Sequence, residues 1–142
     1  MSTVRELLRK RPSHAWHVHP SATVFDALTL LAEHEIGALM IVDRGRLVGI
    51  LSERDYTRKV ALQGRNSRET TVDQIMTQSV LVVSPETTTR DAMALMSEKK
   101  IRHLPVLDKG IVLGMISIRD LMDDIIADHE LTIAQLESYI HS

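Results

Sequence analysis

The sequence predicts a mixed α/β fold, an α+β arrangement of two β-α-β-β-α units packed as a pseudo-two-fold pair, each with a short sheet and two helices. Residues 18–60 (the first repeat) align without a gap onto residues 83–125 (the second repeat), 65 positions later. Each copy carries two apolar runs separated by an Asp-basic-Gly turn, which is typical of a β-hairpin. A single unit of about 60 residues would be marginally stable, so we expect the two copies to bury their sheets together.

The elements of the two copies begin at matched positions. Thr23 and Thr88 are each followed three residues later by an aspartate, which predicts a capped helix start. Apolar residues then recur on one helical face, and the short buried strands "ALMIV" and "LPVL" follow. The return strands are "LVGIL" and "VLGMI", and a second helix begins after each of them. We also expect a short helix before each copy, at 4–8 and 72–76.

These elements divide the chain into four segments. We predict a first repeat with its leading helix at 1–62, a polar connector at 63–71, a second repeat at 72–129 and a C-terminal helical tail at 130–142. The tail is amphipathic, and this pattern is equally consistent with packing against its own module or against a second subunit. Its apolar residues are Leu131, Ile133, Leu136, Tyr139 and Ile140.

Composition argues against several classes of function. The chain has 17 Lys and Arg residues against 19 Asp and Glu, and its net charge of −2 argues against nucleic-acid binding. It has no cysteine, which removes disulfides, thiolate chemistry and Cys-based zinc sites. No apolar run approaches the roughly 20 residues of a membrane helix, and no secretory signal is recognisable, so we expect a cytoplasmic protein without membrane contact. His17 and His19 lack a carboxylate at ligand spacing, so no metal site is predicted. Trp16 could stack on a flat ligand ring, but a single aromatic residue on a strand is more typical of a core, and we interpret it as a core residue.

The segments "GILSERD" and "GMISIRD" place a serine and an aspartate directly after an apolar strand in both copies. A Ser-x-x-Asp pair at a strand-to-helix junction is a helix-capping box, which stabilises a helix start by about 1 kcal/mol. Capping alone can therefore explain Ser52 with Asp55, and Ser117 with Asp120.

Three features favour a nucleotide site over capping alone. The strand delivers each helix start to the end of a sheet, where backbone N–H groups and the helix dipole favour phosphate. Arg54 and Arg119 lie inside the boxes, where capping has no use for them. A ribose diol needs a hydroxyl and a carboxylate within one turn, and Ser-x-x-Asp offers both. We interpret the two boxes as candidate nucleotide-binding motifs.

The motifs "VDQIMT", "SPETTTRDAMALM", "IRHLPVLD" and "GMISIRD" together resemble those of a tandem pair of CBS domains, the cystathionine-β-synthase type of regulatory repeat. The resemblance covers nearly the whole chain and is strongest to small stand-alone bacterial pairs. It implies two clefts between the repeats for an adenosine-containing ligand, with AMP first and ADP, ATP, NAD(H) or S-adenosylmethionine as alternatives. It also implies that the serine and aspartate hold ribose, that the chain forms a homodimer, and that it regulates an unidentified protein.

A second cluster, "IRHLPV", contains Arg102, His103 and Pro105. In the modules that this chain resembles, the two residues before "LPV" point into the cleft and bind phosphate. The resemblance therefore implies a small cationic site of Arg102, His103 and Arg119, since an arginine can bind two phosphate oxygens at once. Pro105 would fix the start of the strand. The alternative is a solvated Arg102 and a packed His103.

The first repeat departs from this pattern, because it carries "IGALM" where the second has "IRHLP". Gly37, Ala38 and Met40 offer no cation, and the proline is missing. We expect Gly37 and Ala38 to leave room for a flat base or for a longer ligand to cross, and we place Ala38 and Met40 in this site. The Ser-Arg-Asp set of the first repeat keeps the ribose half, so the two sites are predicted to be unequal.

The function predicted from these features is nucleotide sensing by a regulatory module. An enzyme is not expected, because no nucleophile elbow or acid/base pair is recognisable. The alternative is a structural module for dimerisation or partner binding whose clefts stay empty.

Overall fold

The computed structural model describes residues 2–10 and 16–141, with side chains in the last helix described to residue 130 and at 133–138. It confirms the predicted α/β fold, with one three-stranded and one two-stranded sheet. In chain order the elements are α1 (Val4–Lys10), β1 (His17–Val18), α2 (Val24–His34), β2 (Ala38–Asp43), β3 (Arg46–Ser52), α3 (Glu53–Tyr56) with a π-helical turn (Thr57–Ala61), a 3₁₀ turn (Val72–Gln74), α4 (Thr89–Lys99), β4 (His103–Asp108), β5 (Ile111–Ser117) and α5 (Ile118–His141).

Local sequence signals set the starts of α2 and α4. The Thr23 side chain accepts a hydrogen bond from the Asp26 amide at 3.1 Å, and Thr88 accepts one from the Asp91 amide at the same distance. These contacts satisfy an amide that a helix start would otherwise leave unpaired. Both predicted helix starts are therefore confirmed.

The two hairpins also follow from local chemistry. In the first turn Arg44 has φ 52° and Gly45 has φ 79°, and Lys109 and Gly110 have 51° and 82° in the second. Two successive positive φ values define a tight turn whose twist matches that of the strands, and glycine adopts this conformation at low cost. The turns bring β2 against β3 and β4 against β5 in antiparallel pairs.

The two sheets differ because of one proline. In the first repeat the Met40 amide donates to the Trp16 carbonyl at 3.4 Å, which starts the parallel pairing of β1 with β2. Pro105 occupies the corresponding position of β4 and has no N–H to donate. The leading strand expected in the second repeat is therefore reduced to a single parallel bridge between Val83 and Val106, and that part of the prediction was wrong.

The leading segments are exchanged between the repeats. Val4 and Leu7 of α1 lie in the core of the second repeat, whereas Val72 and Ile75 lie in the core of the first. Backbone hydrogen bonds of 2.8 Å fix both docking sites, from Val4 to the Thr87 carbonyl and from Val72 to the Ala22 carbonyl. Each repeat thus completes its hydrophobic core with a segment that precedes the other repeat.

Helix α5 runs without a break across the predicted 129/130 boundary. Its described side chains at 126–130 and 133–138 are all exposed, so this part of the tail does not pack against its own module. Leu131, Tyr139 and Ile140, which belong to the predicted apolar face, lie outside the described side chains. Neither α5 nor any other helix in the described ranges is long and apolar enough to cross a membrane.

Candidate functional site

Two clefts lie between the repeats, and each draws residues from both. We name them the Ser117 cleft, of about 530 Å³, and the Ser52 cleft, of about 690 Å³. Both volumes fall within the range of about 300–1,000 Å³ typical of small-ligand pockets. The Ser117 cleft includes Trp16, His34, Gly37, Arg102, His103, Ser117, Arg119 and Asp120. The Ser52 cleft includes Gly37, Ala38, Ser52, Arg54, Asp55, Thr77, Lys100, Arg102 and His103.

Both Ser-x-x-Asp motifs form reciprocal helix caps. The Asp55 amide donates to Ser52 Oγ at 3.1 Å, and the Ser52 amide donates to Asp55 Oδ2 at 3.0 Å. Ser117 and Asp120 make the same two bonds at the same distances. The capping interpretation is therefore correct for both repeats. The two motifs differ in whether the second carboxylate oxygen of the aspartate can accept further hydrogen bonds.

The second carboxylate oxygen of Asp55 is already in use. Lys59 Nζ lies 3.1 Å from Oδ1 in a salt bridge, and the Thr77 hydroxyl donates to the same oxygen at 3.3 Å. The Asp55 side chain is only 12% exposed. A ribose in the Ser52 cleft would have to compete with a lysine and a threonine for this oxygen.

The corresponding oxygen of Asp120 has a different environment. Oδ2 accepts the Ser117 amide, but none of the described residues donates a hydrogen bond to Oδ1. The position that matches Lys59 in the second repeat is Asp124, which cannot pair with a carboxylate and instead faces Lys10 of α1 at 3.7 Å. The Ser117 cleft therefore offers a carboxylate acceptor that the Ser52 cleft does not.

Arg102, His103 and Gly37 line both clefts. A Cβ atom on Gly37 would lie 3.3 Å from His103 Cε1, so the imidazole occupies the space beside Gly37 that we expected a ligand to use. The Ser52 cleft is also not free of cations, because Arg102 and Lys100 reach it from the second repeat. The expectation that Gly37 leaves room for a ligand is thereby corrected, since this glycine accommodates the histidine of the other repeat. Gly37, Ala38 and Met40 themselves offer no cation, as expected.

The His103 ring favours its neutral form. Burial is the main cause that lowers its pKa below the ordinary 6.5, and the nearby Arg102 charge lowers it further. The carboxylates of Asp120 and Glu53 oppose this shift without reversing it. At neutral pH the fixed positive charge beside the aspartate of the Ser117 cleft is therefore provided by Arg102 and Arg119, with His103 available as a neutral hydrogen-bonding group.

An aromatic pair lines the Ser117 cleft but not the Ser52 cleft. Trp16 stacks on His34 with ring centroids 3.6 Å apart and an angle of 12° between the planes. The residues that occupy these positions in the second repeat are Leu81 and Lys99, which are not aromatic. The interpretation of Trp16 as a core residue was incomplete, because the side chain packs against the first core and also faces the cleft.

Two predicted site residues do not reach either cleft. Met40 is fully buried in the first repeat, and Pro105 is buried in β4. Ala38 and Arg54 do line the Ser52 cleft. Sequence reasoning missed Lys59, although its position four residues after Asp55 on a helix is a recognisable signal for an ion pair.

The histidines near the N-terminus make other contacts. His19 Nε2 lies 3.4 Å from Asp43 Oδ1, and its Nδ1 lies 2.7 Å from the Ser21 hydroxyl oxygen. Across residues 2–10 and 16–141, no group of three or more His, Cys, Asp or Glu residues is arranged to hold a metal ion.

Comparison with known proteins gives consistent matches. A family model described as CBS domain matches residues 4–62 and 72–127. The mitochondrial CBS domain-containing protein CBSX3 of Arabidopsis thaliana is 43% identical over 124 residues, which cover 83% of this chain and 60% of that protein. A putative signal-transduction protein with CBS domains from Burkholderia ambifaria superimposes with a TM-score of 0.86 at 47% identity, covering 89% of this chain and 96% of that one. The CBS domain pair of MJ0100, solved in complex with 5′-methylthioadenosine and S-adenosyl-L-methionine, gives 0.78 at 25% identity, with 90% and 98% covered.

Proposed function

Because this chain belongs to the CBS-domain family, we propose that it is a regulatory module that binds an adenosine-containing ligand, with AMP first and ADP, ATP or NAD(H) as the other candidates. The complex of the MJ0100 pair with two adenosine-containing compounds supports this ligand class. The observation that carries the proposal is Oδ1 of Asp120, to which no described residue donates a hydrogen bond, in a cleft that also holds arginines and an aromatic pair. The Ser117 cleft is the primary site.

The ribose is assigned to Asp120 and Ser117. A ribose diol presents two hydroxyl donors, and a carboxylate oxygen with no protein donor can accept from them without breaking an existing bond. The capping bonds hold the Asp120 carboxylate in place before the ligand arrives, so little side-chain entropy is lost on binding. Hydrogen bonds to a charged acceptor contribute about 1.5–3 kcal/mol.

The phosphate is assigned to Arg102 and Arg119. Both guanidinium groups line the Ser117 cleft, and each can bind two phosphate oxygens in a planar fork. Neutral His103 adds one N–H donor without a charge to desolvate. This division predicts that adenosine binds through Asp120 while AMP gains further affinity from Arg102.

The base is assigned to the side of the cleft where Trp16 and His34 stack. A flat heteroaromatic ring packs well against such a surface, and stacking of a base on an aromatic side chain contributes about 1–3 kcal/mol. The Ser52 cleft contains no aromatic residue among its described lining residues, and its Asp55 is already engaged. It is therefore proposed as a weaker second site that is dominated by phosphate contacts.

A thermal-shift panel with adenosine, AMP, ADP, ATP, NAD⁺, NADH and S-adenosylmethionine tests this function. A ligand at 100 times its dissociation constant stabilises the folded protein by about 2.7 kcal/mol, which is readily measured for a domain of this size. We expect AMP to stabilise more than adenosine, and S-adenosylmethionine to stabilise least among the charged ligands. If no ligand of the panel shifts the melting temperature, the proposal is wrong and the alternative of a structural module with empty clefts is favoured.

A further inference from the structure

The residues that follow helices α2 and α4 line different clefts and carry opposite charges. Glu35 follows α2 and lines the Ser117 cleft, whereas Lys100 follows α4 and lines the Ser52 cleft. The two residues are 65 positions apart, so they occupy the same position in the two repeats. Each cleft therefore receives, from the repeat opposite its Ser-x-x-Asp motif, a side chain whose charge is the reverse of that in the other cleft.

The backbone holds both residues in the same conformation. Glu35 has φ 52° and ψ 46°, and Lys100 has φ 56° and ψ 43°, which is the left-handed region. The amide of the next residue donates to a carbonyl five positions back, at 3.1 Å after Glu35 and at 3.0 Å after Lys100. Glycine is the common residue at such a helix end, because a side chain is strained there. The two clefts therefore differ at this position in charge and not in backbone geometry.

The ionisable residues around the two clefts give different charge balances. Apart from the histidines, the Ser117 cleft is lined by two arginines and two carboxylates, which are Arg102, Arg119, Glu35 and Asp120. The Ser52 cleft is lined by three cations and two carboxylates, which are Arg54, Lys100, Arg102, Glu53 and Asp55. One of those carboxylates, Asp55, is already paired with Lys59 at 3.1 Å. The charges thus balance in the Ser117 cleft and leave an excess of positive charge in the Ser52 cleft.

We propose that the two clefts select ligands by charge. The Ser52 cleft binds ligands with a terminal chain of two or more phosphate groups, the Ser117 cleft binds adenosine ligands of lower charge, and Lys100 and Glu35 make the distinction. This proposal rests on the proposed function of the Ser117 cleft. A phosphate chain carries more negative charge than a single phosphate, so its affinity responds more strongly to each cation and each carboxylate of the cleft.

The remaining features of the Ser52 cleft also favour a phosphate chain. Its volume is about 690 Å³, against about 530 Å³ for the Ser117 cleft. An arginine binds two phosphate oxygens in a planar fork and a lysine adds a point charge, so Arg54, Lys100 and Arg102 suit several phosphates in a row. Since Asp55 is engaged by Lys59, ribose contributes little there. Inorganic tripolyphosphate should therefore bind this cleft about as well as ATP does.

Calorimetric titration with inorganic tripolyphosphate tests the Ser52 cleft. Lys100→Glu should weaken tripolyphosphate about tenfold, because this substitution removes an attraction and adds a repulsion. Lys99→Glu makes the same change of charge at an exposed residue that is not among the described lining of either cleft, and it should change the affinity by less than about threefold. The Lys100→Glu protein should fold like wild type, because Glu35 shows that a glutamate fits this conformation. Tripolyphosphate should leave Trp16 emission nearly unchanged, since Trp16 lines the other cleft.

Glu35→Lys tests the Ser117 cleft in the opposite direction. ATP should then bind there about tenfold more tightly, as measured by Trp16 emission, while uncharged adenosine should change by less than about twofold. Most of this gain should be lost between about 0.05 M and about 0.5 M salt, because exposed charges are screened. Glu33→Lys, an exposed neighbour outside the described lining of the clefts, is the matched control and should leave ATP binding close to that of wild type.

The outcomes distinguish this inference from the proposed function. If wild type does not bind tripolyphosphate, or if Lys100→Glu and Lys99→Glu weaken it equally, the charge selection is wrong, while AMP binding that depends on Asp120 still supports the adenosine site. Equal effects of Glu35→Lys and Glu33→Lys on ATP would likewise overturn the inference. If Asp120→Ala leaves AMP binding unchanged while tripolyphosphate binding still depends on Lys100, the proposed adenosine site is wrong and the phosphate-chain preference of the Ser52 cleft is supported.

Discussion

The Ser52 and Ser117 clefts begin with the same motif at the same place in the fold, yet they differ in what remains available to a ligand. Both aspartates cap a helix with the same pair of hydrogen bonds. Asp55 gives its second oxygen to Lys59 and Thr77, whereas none of the residues that the structure describes donates a hydrogen bond to the same oxygen of Asp120. The two copies of the motif therefore differ in the acceptor capacity left to the aspartate, because Lys59 and Thr77 contact Asp55 and the position that matches Lys59 in the second repeat is Asp124.

The two clefts also share part of their lining. Arg102 and His103 come from one repeat and line both clefts, and Gly37 of the other repeat provides the space for the imidazole. A symmetric chain with Arg and His in both repeats would force two bulky pairs toward the same region. The difference between "IRHLP" and "IGALM" is thus a complementary fit between the repeats.

The largest expected effect is that of Asp120→Ala on ligand affinity. Loss of a charged acceptor should cost about 1.5–3 kcal/mol of binding, a factor of about 10 to 150. Asp55→Ala is the matched control and should change the affinity of the tighter site by less than about threefold, because Asp55 is already engaged. Isothermal titration with AMP measures both. Equal losses of AMP affinity in the two variants would show that the two clefts are equivalent.

Arg102→Ala should distinguish the contribution of the phosphate to binding affinity from that of the rest of the ligand. We expect AMP to lose about 1.5–3 kcal/mol of binding, since a charged hydrogen bond is removed, while adenosine loses much less. Because Arg102 lines both clefts, phosphate-bearing ligands should weaken at both sites. Titrations of the variant with AMP and with adenosine check this, and a similar loss for the two ligands would exclude a phosphate contact at Arg102.

Without ligand, Asp55→Ala should destabilise the fold more than Asp120→Ala, which is the reverse of their expected effects on ligand affinity. Asp55 holds the Ser52 amide, Lys59 and Thr77 together, so Asp55→Ala should reduce the unfolding free energy by about 1–2 kcal/mol. Among the described residues Asp120 makes only the two capping bonds, so Asp120→Ala should cost about 1 kcal/mol or less. Urea denaturation of the apo proteins gives both values. A larger loss for Asp120→Ala would mean that its carboxylate has a structural role that the geometry does not reveal.

The pH dependence of stability should report on His103. Its folded-state pKa lies below the ordinary 6.5, so the unfolded chain binds the proton more readily as the pH falls. The stabilising effect of the neutral ring is complete above about pH 6.5 and decreases below it. Between pH 7.5 and 5 the wild-type protein should therefore lose more stability than His103→Gln, which cannot titrate. Parallel pH profiles in urea denaturation would refute this account of the buried ring.

The smallest expected change in ligand affinity is that of Lys59→Met, which removes the salt bridge to Asp55. Lys59→Met removes the cation from Oδ1 while keeping much of the apolar stem, and Thr77 remains as a weaker donor. The second binding event for AMP should then tighten by a few-fold, which is about the size expected for one partly exposed ion pair. Arg58→Met, an exposed neighbour that does not contact Asp55, is the control. Indistinguishable titrations of the two variants would mean that Lys59 does not limit the Ser52 cleft.

Local features of the fold could be predicted from the sequence, because their causes lie within a few residues. The helix caps at Thr23 and Thr88 and the turns at Gly45 and Gly110 depend on side chains close to the backbone that they satisfy. The exchange of the leading segments could not be predicted in this way. Val4 and Val72 have equally apolar surroundings in sequence, and only the packed structure determines which core each one enters.

The motifs of the candidate site could also be predicted from the sequence, but the contacts between the repeats could not. The two Ser-x-x-Asp boxes and the Arg102–His103 pair could be identified as motifs, and Lys59 could have been found from its i+4 spacing. The sharing of Arg102 between clefts, and the contribution of Trp16 and His34 to only one of them, arise from contacts between repeats that no local pattern encodes. Met40 was placed in the site because it belongs to "IGALM", and it is instead fully buried in the first repeat. Pro105, which was expected to fix the start of its strand, is buried in β4 and does not line either cleft.

Intrinsic fluorescence gives the most direct test of the claim that the Ser117 cleft is the primary adenosine site. Trp16 is the single tryptophan of the chain, and it lines the Ser117 cleft but not the Ser52 cleft. The tighter of the AMP-binding events seen by calorimetry should change Trp16 emission with the same dissociation constant, and Asp120→Ala should weaken both signals together. Tight AMP binding by calorimetry with no change in Trp16 emission would place the ligand in the other cleft and contradict the account.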